Sequence, residues 1–157
     1  MPSLLATDET FLTAAPARFS EKFQIAKPAD QVWAELISDS PLSWCRALSI
    51  RWTSPRPFTV GTTREAKILG GALTIQETYF LWEEGRRKAF YVASASLPVF
   101  RRLAEDYVVE PTSENRSSLT WTIAMEPTAI GKPGGPVNAL LVKSLFNDTR
   151  RHFASPR

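Results

Sequence analysis

Residues 64–80, REAKILGGALTIQETYF, decide the fold. Two runs of alternating side chains flank Gly70 and Gly71, the signature of antiparallel strands joined by a tight turn. With Leu69 opposite Ala72 across that turn, Ile68 faces Leu73, Ala66 faces Ile75 and Arg64 faces Glu77. One face then carries Arg64, Ile68, Leu73, Ile75, Glu77, Tyr79 and Leu81, and the other Glu65, Lys67, Thr74, Gln76 and Thr78. The apolar face must be the enclosed one, and the register takes two charges inside with it. Opposed Cβ atoms lie about 5 Å apart, within reach of an arginine–carboxylate bridge. Such a pair can be a satisfied internal ion pair, because an unpaired buried charge costs several kcal/mol. It can also be the polar anchor of a cavity, with Arg64 donating to a carbonyl or carboxylate of a ligand. The two roles are compatible.

Strand patterns extend on both sides of this hairpin. SIRWTS (49–54) precedes it, and KAFYVASAS (88–96), RLAEDYVVE (102–110) and SSLTWTIAM (117–125) follow, separated by turn-forming segments. The turn EEGRR (83–87) can close in either register, with Phe90, Val92 and Ser94 inward or Ala89, Tyr91 and Ala93 inward, the first being preferred; the later inward sets are Leu103, Tyr107 and Val109 with Glu105 drawn in, then Leu119, Trp121, Ile123 and Met125. Earlier, ARFSEKFQIA (17–26) alternates with period two, and KPADQVWAELISD (27–39) changes to helical spacing through Val32, Trp33, Leu36 and Ile37. SPLSWCRAL (40–48) is read as a second short helix anchored by Trp44. GGPVNALLVKSLFNDTRRHF (134–153) is a long helix whose stripe is Val137, Leu140, Leu141, Leu145, Phe146 and Phe153. The order predicts an α+β fold, a seven-stranded curved antiparallel sheet whose apolar face wraps around the long C-terminal helix, with two short helices between strands 1 and 2. Residues 1–16 are expected to form a flexible, loosely attached segment ahead of a single domain over 17–157.

The segments FQIAKPADQVWAELISD, SWCRAL and VGTTREAKILGG, a glutamate in the following strand and the terminal amphipathic helix resemble the START and polyketide cyclase/dehydrase superfamily, also called SRPBCC. The resemblance runs from Phe19 to Phe153, and its most specific piece is the first helix with Val32, Trp33 and Asp39. It implies the helix-grip fold, in which sheet and helix enclose a deep cavity for an apolar ligand. Members range from lipid carriers to cyclases and hormone receptors, so the fold alone selects no function. Plant allergen members place a glycine-rich loop between strands 2 and 3; here that loop is SPRPFTVG, and their ligand contacts do not transfer.

Composition narrows the classes. A chain of 157 residues can bury roughly 70% of its unfolded surface in one core. A net charge of +3, with no basic run longer than Arg86-Arg87-Lys88, leaves no nucleic-acid footprint. Cys45 is the only cysteine, so no intrachain disulfide forms, and a reducing, cytoplasmic setting is expected. One histidine, His152, and scattered carboxylates offer neither a metal-ligand spacing nor a serine-histidine triad, and no metal or cofactor is implied.

The expected ligand contacts are therefore Arg64 and Glu77 as polar anchors, with Trp44, Tyr79, Phe90, Tyr107, Trp121, Leu141 and Leu145 as walls. Successive turns of a meander alternate ends, which gathers Leu69, Gly70, Leu97, Pro98, Val99, Phe100 and Ile130 at a cavity entrance, with Arg101, Arg102 and Lys132 nearby. Apolar tips beside cations suit transient contact with a membrane surface during ligand exchange. The leading functional reading is a non-catalytic carrier or sensor of a lipid, isoprenoid or polyketide-like molecule, as a monomer or homodimer. A cyclase or dehydratase-type lyase is the alternative, and a cavity-less regulatory or toxin-antitoxin-like interaction protein is the third.

Overall fold

A computed structural model describes residues 2–154. Helix α1 (Glu9–Ala14) precedes strand β1 (Ala17–Ile25) and helix α2 (Ala29–Leu36). Strands β2 (Leu48–Trp52), β3 (Thr63–Ile68), β4 (Leu73–Glu83), β5 (Arg87–Ala95), β6 (Phe100–Ser113) and β7 (Arg116–Pro127) follow, and helix α3 (Gly135–Ala154) ends the described chain. The seven strands form one sheet in the order β1-β7-β6-β5-β4-β3-β2, with every named pair antiparallel. The helix-grip architecture is the one the hydrophobic periodicity predicts.

The inner face of the sheet and α3 share one core. Phe23, Tyr79, Phe90, Tyr107, Trp121 and Ile123 from the strands join Val142, Leu145, Phe146 and Phe153 from the helix. The buried stripe of α3 is rotated from the expected one: Val137 and Leu140 are exposed, whereas Val142 and Thr149 are buried. Between β1 and β2 there is one helix, α2, rather than two. Residues 41–44 form consecutive turns, and Leu42 takes a left-handed backbone (φ 58°) that aims its side chain into the core. A proline at 41 and that reversal leave no room for a further helical turn.

The β3–β4 register agrees with the sequence reading: Arg64 pairs Glu77, Ala66 pairs Ile75 and Ile68 pairs Leu73. Two irregularities in β4–β5 were not expected. An extra residue at Phe80 puts Leu81 opposite Ala89 and Trp82 opposite Lys88, so Leu81 joins the outer face and Trp82 packs against the core. An extra residue at Ala93 makes Ala95, not Ser94, the inward neighbour of Ile75. Each added residue reverses the alternation beyond it.

Residues 2–15, expected to be loosely attached, lie against the sheet. Phe11 and Leu12 are buried on the outer face over Ala89, Ala104 and Ala124, where small side chains leave a shallow trough. Arg102 covers the Phe11 ring at 4.5 Å, and Arg87 bonds Glu9 at 2.9 Å. The sequence reading overlooked that the outer face carries its own apolar patch.

Candidate functional site

A pocket of about 70 Å³ opens between the inner sheet face and α3. Its apolar walls include Leu42, Ile50, Ile75, Leu103, Ile123 and Met125, with Leu141, Val142 and Leu145 from α3. Arg64, Glu77, Glu105 and Tyr107 also line it and are its ionisable groups. Each is placed by strand parity, Arg64 and Glu77 through the β3–β4 register and Glu105 and Tyr107 as alternate residues of β6.

Arg64 Nε donates to Glu77 Oε1, and Arg64 Nη2 lies 3.4 Å from the Tyr107 hydroxyl. The guanidinium sits within 5.0 Å of the Phe90 ring centre and 5.4 Å of Trp52 and Tyr79. Its third nitrogen, Nη1, is buried without a hydrogen-bond partner among the described residues. Buried donors are nearly always satisfied, which makes this unpaired nitrogen, on a residue that lines the pocket, an exception. Burial alone would lower the Arg64 pKa, but Glu77 and the two tyrosines raise it well above its ordinary value. Arg64 is therefore a permanent cation.

Glu105 accepts from the Tyr107 hydroxyl and the Trp121 indole through one oxygen, Oε1, at 2.9 Å each. Burial, reinforced by repulsion from Glu77, pushes its carboxyl up to about 7 against those hydrogen bonds and the attraction of Arg64. Glu105 is half-buried and lines the pocket. The sequence reading drew Glu105 inward but gave it no role; adjacency to Tyr107 and Trp121 on one inner face was the available signal. Burial likewise raises Glu77, with Arg64 opposing.

Lys88 was missed altogether. It is buried, donates to the Tyr79 hydroxyl at 2.8 Å and lies 4.2 Å over the Tyr107 ring. Burial pushes its ammonium well below the ordinary lysine value, and the Arg64 charge adds to this. Its even number, shared with Phe90 and Val92, was the signal; placing it in a solvated basic run hid it. The cluster thus combines a fixed ion pair, a carboxyl that titrates near neutrality and a lysine with little tendency to hold its proton. It can donate to a carbonyl oxygen through Arg64 and exchange a proton through Glu105.

Arg64, Glu77, Tyr107, Leu141 and Leu145 from the expected set are together in the lining. Tyr79, Phe90 and Trp121 are buried in the wall behind it: Tyr79 packs edge-on to Phe90, and Trp121 stacks on Tyr107 at 5.3 Å. Trp44 is elsewhere. It stacks on His152 (4.0 Å, 5° between planes) and its indole donates to Thr149 at 3.0 Å, toward the far end of α3. The turn at Leu42 puts that leucine, not Trp44, into the pocket wall. His152 Nε2 is 2.6 Å from Glu35, and Cys45 is buried with its thiol pushed up to about 12 by burial, so neither is a reactive centre of the pocket.

Of the expected entrance residues, Phe100 is buried and lines the pocket, and Val99 is partly buried against the core. Leu69, Gly70, Leu97, Pro98 and Ile130 are exposed. Two loops are tied together here: Thr128 donates to the carbonyls of Val99 and Pro98 at 3.0 and 2.7 Å through its amide and hydroxyl. Among the described residues no cluster suits a metal ion, and no helix is long and apolar enough to cross a membrane.

Similarity to known proteins agrees with this geometry. A family model described as polyketide cyclase / dehydrase and lipid transport matches residues 16–154. An uncharacterized protein of Mycobacterium tuberculosis is 30% identical over 151 residues, covering 91% of this chain and 88% of the relative; one from Mycobacterium bovis matches equally. Among solved structures, the Zhui aromatase/cyclase of a Streptomyces species superposes with a TM-score of 0.69 at 13% identity, covering 86% of this chain and 89% of that one. A START superfamily protein of Mycobacterium smegmatis gives 0.65 at 10% identity, with 87% and 97% covered. The ginseng major latex-like protein of Panax ginseng gives 0.64 at 16%, with 88% and 98% covered. At these identities the structures speak for the helix-grip fold, whereas the match over 16–154 assigns the family: this chain belongs to the polyketide cyclase / dehydrase and lipid transport family.

Proposed function

We propose that this protein binds a small, mostly apolar molecule carrying a carbonyl or carboxyl oxygen, with that oxygen at Arg64 Nη1 and the apolar body against the leucine and isoleucine walls. The observation that carries the reading is the buried, unpartnered Nη1 of Arg64, a residue that lines an otherwise largely apolar pocket. Family membership supports it, and the open space in the interior favours it over a cavity-less interaction protein. The exposed Leu69, Leu97 and Ile130, with Lys132 close by, are the surface through which exchange with an anionic lipid surface would take place.

A fluorescent naphthoic acid and unsubstituted naphthalene, titrated into the protein at pH 8, test the reading. The acid is expected to bind more tightly, and Arg64→Met to remove that preference while leaving naphthalene binding in place. Failure of both compounds to bind, together with no small molecule retained in native mass spectrometry, overturns it.

A second reading is favoured by Glu105. A carboxyl pushed up to about 7 beside a buried cationic donor is suited to acid–base work on a carbonyl compound, as in a cyclase or dehydratase-type lyase. Turnover of a poly-β-ketone that is abolished in Glu105→Gln, with binding retained, would establish it.

A further inference from the structure

The β5–β6 ladder is incomplete. Its pairs run from Arg87–Val108 to Tyr91–Ala104, yet β5 continues to Ala95 and β6 begins at Phe100. Beyond Tyr91 the strands part, and the extra residue at Ala93 lies at the divergence. The split is filled by residues 2–5. The Leu4 amide donates to the Ala93 carbonyl, the Ala95 amide to the Pro2 carbonyl and the Leu5 amide to the Arg101 carbonyl, each at 2.9 Å. Ser3 stands opposite Ser94 in an antiparallel bridge. Alternation sends Leu4 inward, where it packs against the main core, and leaves Leu5 exposed. The split adjoins the pocket, since Phe100 and Leu103 at the start of β6 line it, as does Ile75, the partner of Ala95.

We propose that residues 2–15 are a gate: residues 2–5 close a split in the sheet wall, and their release opens a lateral route to the pocket. Three observations separate this segment from the rest of the wall. It lies outside the family match, which begins at residue 16. Among the described residues it joins the sheet through the three backbone hydrogen bonds above, whereas β6 and β7 pair over most of their length. Its own anchors, Phe11 and Leu12, sit in the shallow outer cluster rather than the main core. Residues 2–5 themselves hold to the wall by few backbone bonds and one inward side chain, Leu4, which are conditions for opening without global unfolding. The gating role rests on the ligand reading above; the opening itself does not.

The test uses the full chain. Ser3 and Ser94 form the bridge's non-hydrogen-bonded pair, where Cα atoms lie about 4.5 Å apart, inside the range a disulfide spans. Ser3→Cys with Ser94→Cys therefore gives a lock that a reductant reverses, and the buried Cys45, its thiol pushed up to about 12, stays out of the exchange. Native-state hydrogen exchange should show the Leu4, Leu5 and Ala95 amides exchanging at least about tenfold faster than the β6–β7 amides, and the oxidised lock should abolish the difference. Stopped-flow uptake and release of naphthoic acid should slow about tenfold on oxidation and recover on reduction, with the equilibrium affinity unchanged. Leu4→Ser, which removes the inward plug, should speed both rates, and it carries the test if the disulfide does not form.

Strap amides that exchange only as slowly as the β6–β7 amides overturn the proposal. So do uptake rates that ignore both the lock and Leu4→Ser while the acid still binds. If naphthoic acid binds no form of the protein, the ligand reading fails and the gate's role in ligand entry falls with it, whereas the exchange comparison still decides whether the strap opens.

Discussion

Arg64 and Glu77 stand directly opposite each other on β3 and β4 and pair inside the protein with side chains 1% and 3% exposed. One guanidinium nitrogen satisfies Glu77, a second approaches Tyr107, and the third is buried without a partner among the described residues. The Nε bond ties β3 to β4 inside the core, and the Nη1 atom is the one the proposed ligand oxygen would meet.

Replacing Arg64 by Ala leaves the Glu77 carboxyl buried without its counter-charge. Breaking such a pair costs about 3 to 5 kcal/mol, whereas exchanging both partners for apolar residues is often neutral. Urea unfolding should show Arg64→Ala strongly destabilised and Arg64→Met with Glu77→Leu recovering most of the loss. Equal destabilisation of single and double variants would show that the pair's own attraction is not what matters at this site.

Glu105 makes stability depend on pH in an identifiable direction. Its carboxyl holds a proton to about 7 in the folded chain, against an ordinary value of 4.5. Its stabilising contribution is complete below 4.5 and is lost as pH rises to about 7, at up to about 1.4 kcal/mol per pH unit between the two values. Glu105→Gln should therefore gain on the wild type steadily across that window and run parallel to it above. Chemical unfolding at half-unit pH steps measures the difference; a constant offset excludes the titration.

Lys88 has the complementary sign. Its folded value lies well below the ordinary 10.5, so the folded chain has shed this proton over a range where the unfolded chain retains it. Stability from this group rises as pH climbs from the folded value toward 10.5. Lys88→Met should remove that rise, so its stability relative to wild type is highest at low pH and declines on the alkaline side. Parallel stability curves for the two proteins would contradict a depressed lysine.

Gly131 is where the two mouth loops touch. A Cβ there would stand 2.0 Å from the Val99 carbonyl oxygen, which is backbone and has no rotamer to yield. Gly131→Ala should force residues 97–100 away from the Thr128 turn, at the roughly 1 to 3 kcal/mol typical of overpacking. Thermal unfolding and naphthoic acid release should both register it, whereas Gly134→Ala, with open space at the same test, should not.

The parts legible in the sequence are those with a strict period. Alternation in β3, β4, β6 and β7 placed Arg64, Glu77, Tyr107 and Trp121 on the inner face, because a one-residue slip would have turned every apolar neighbour outward. Glu105 and Lys88 were carried inward by the same parity, but their chemistry depends on what surrounds them. Trp44 escaped because the path of residues 41–48 is set by Leu42 and by contacts to α3, not by a repeating pattern.

By itself the chain's order of residues determined the strand faces, the β3–β4 register and the covering of one sheet face by the last helix, since these follow from side-chain periodicity and the need to bury apolar surface. Only the tertiary structure decided the extra residues at Phe80 and Ala93, the rotation of the α3 stripe, the split in the β5–β6 ladder and the strap that fills it. Sheet curvature and the space available between distant elements produce these features, and neither is a property of any short segment.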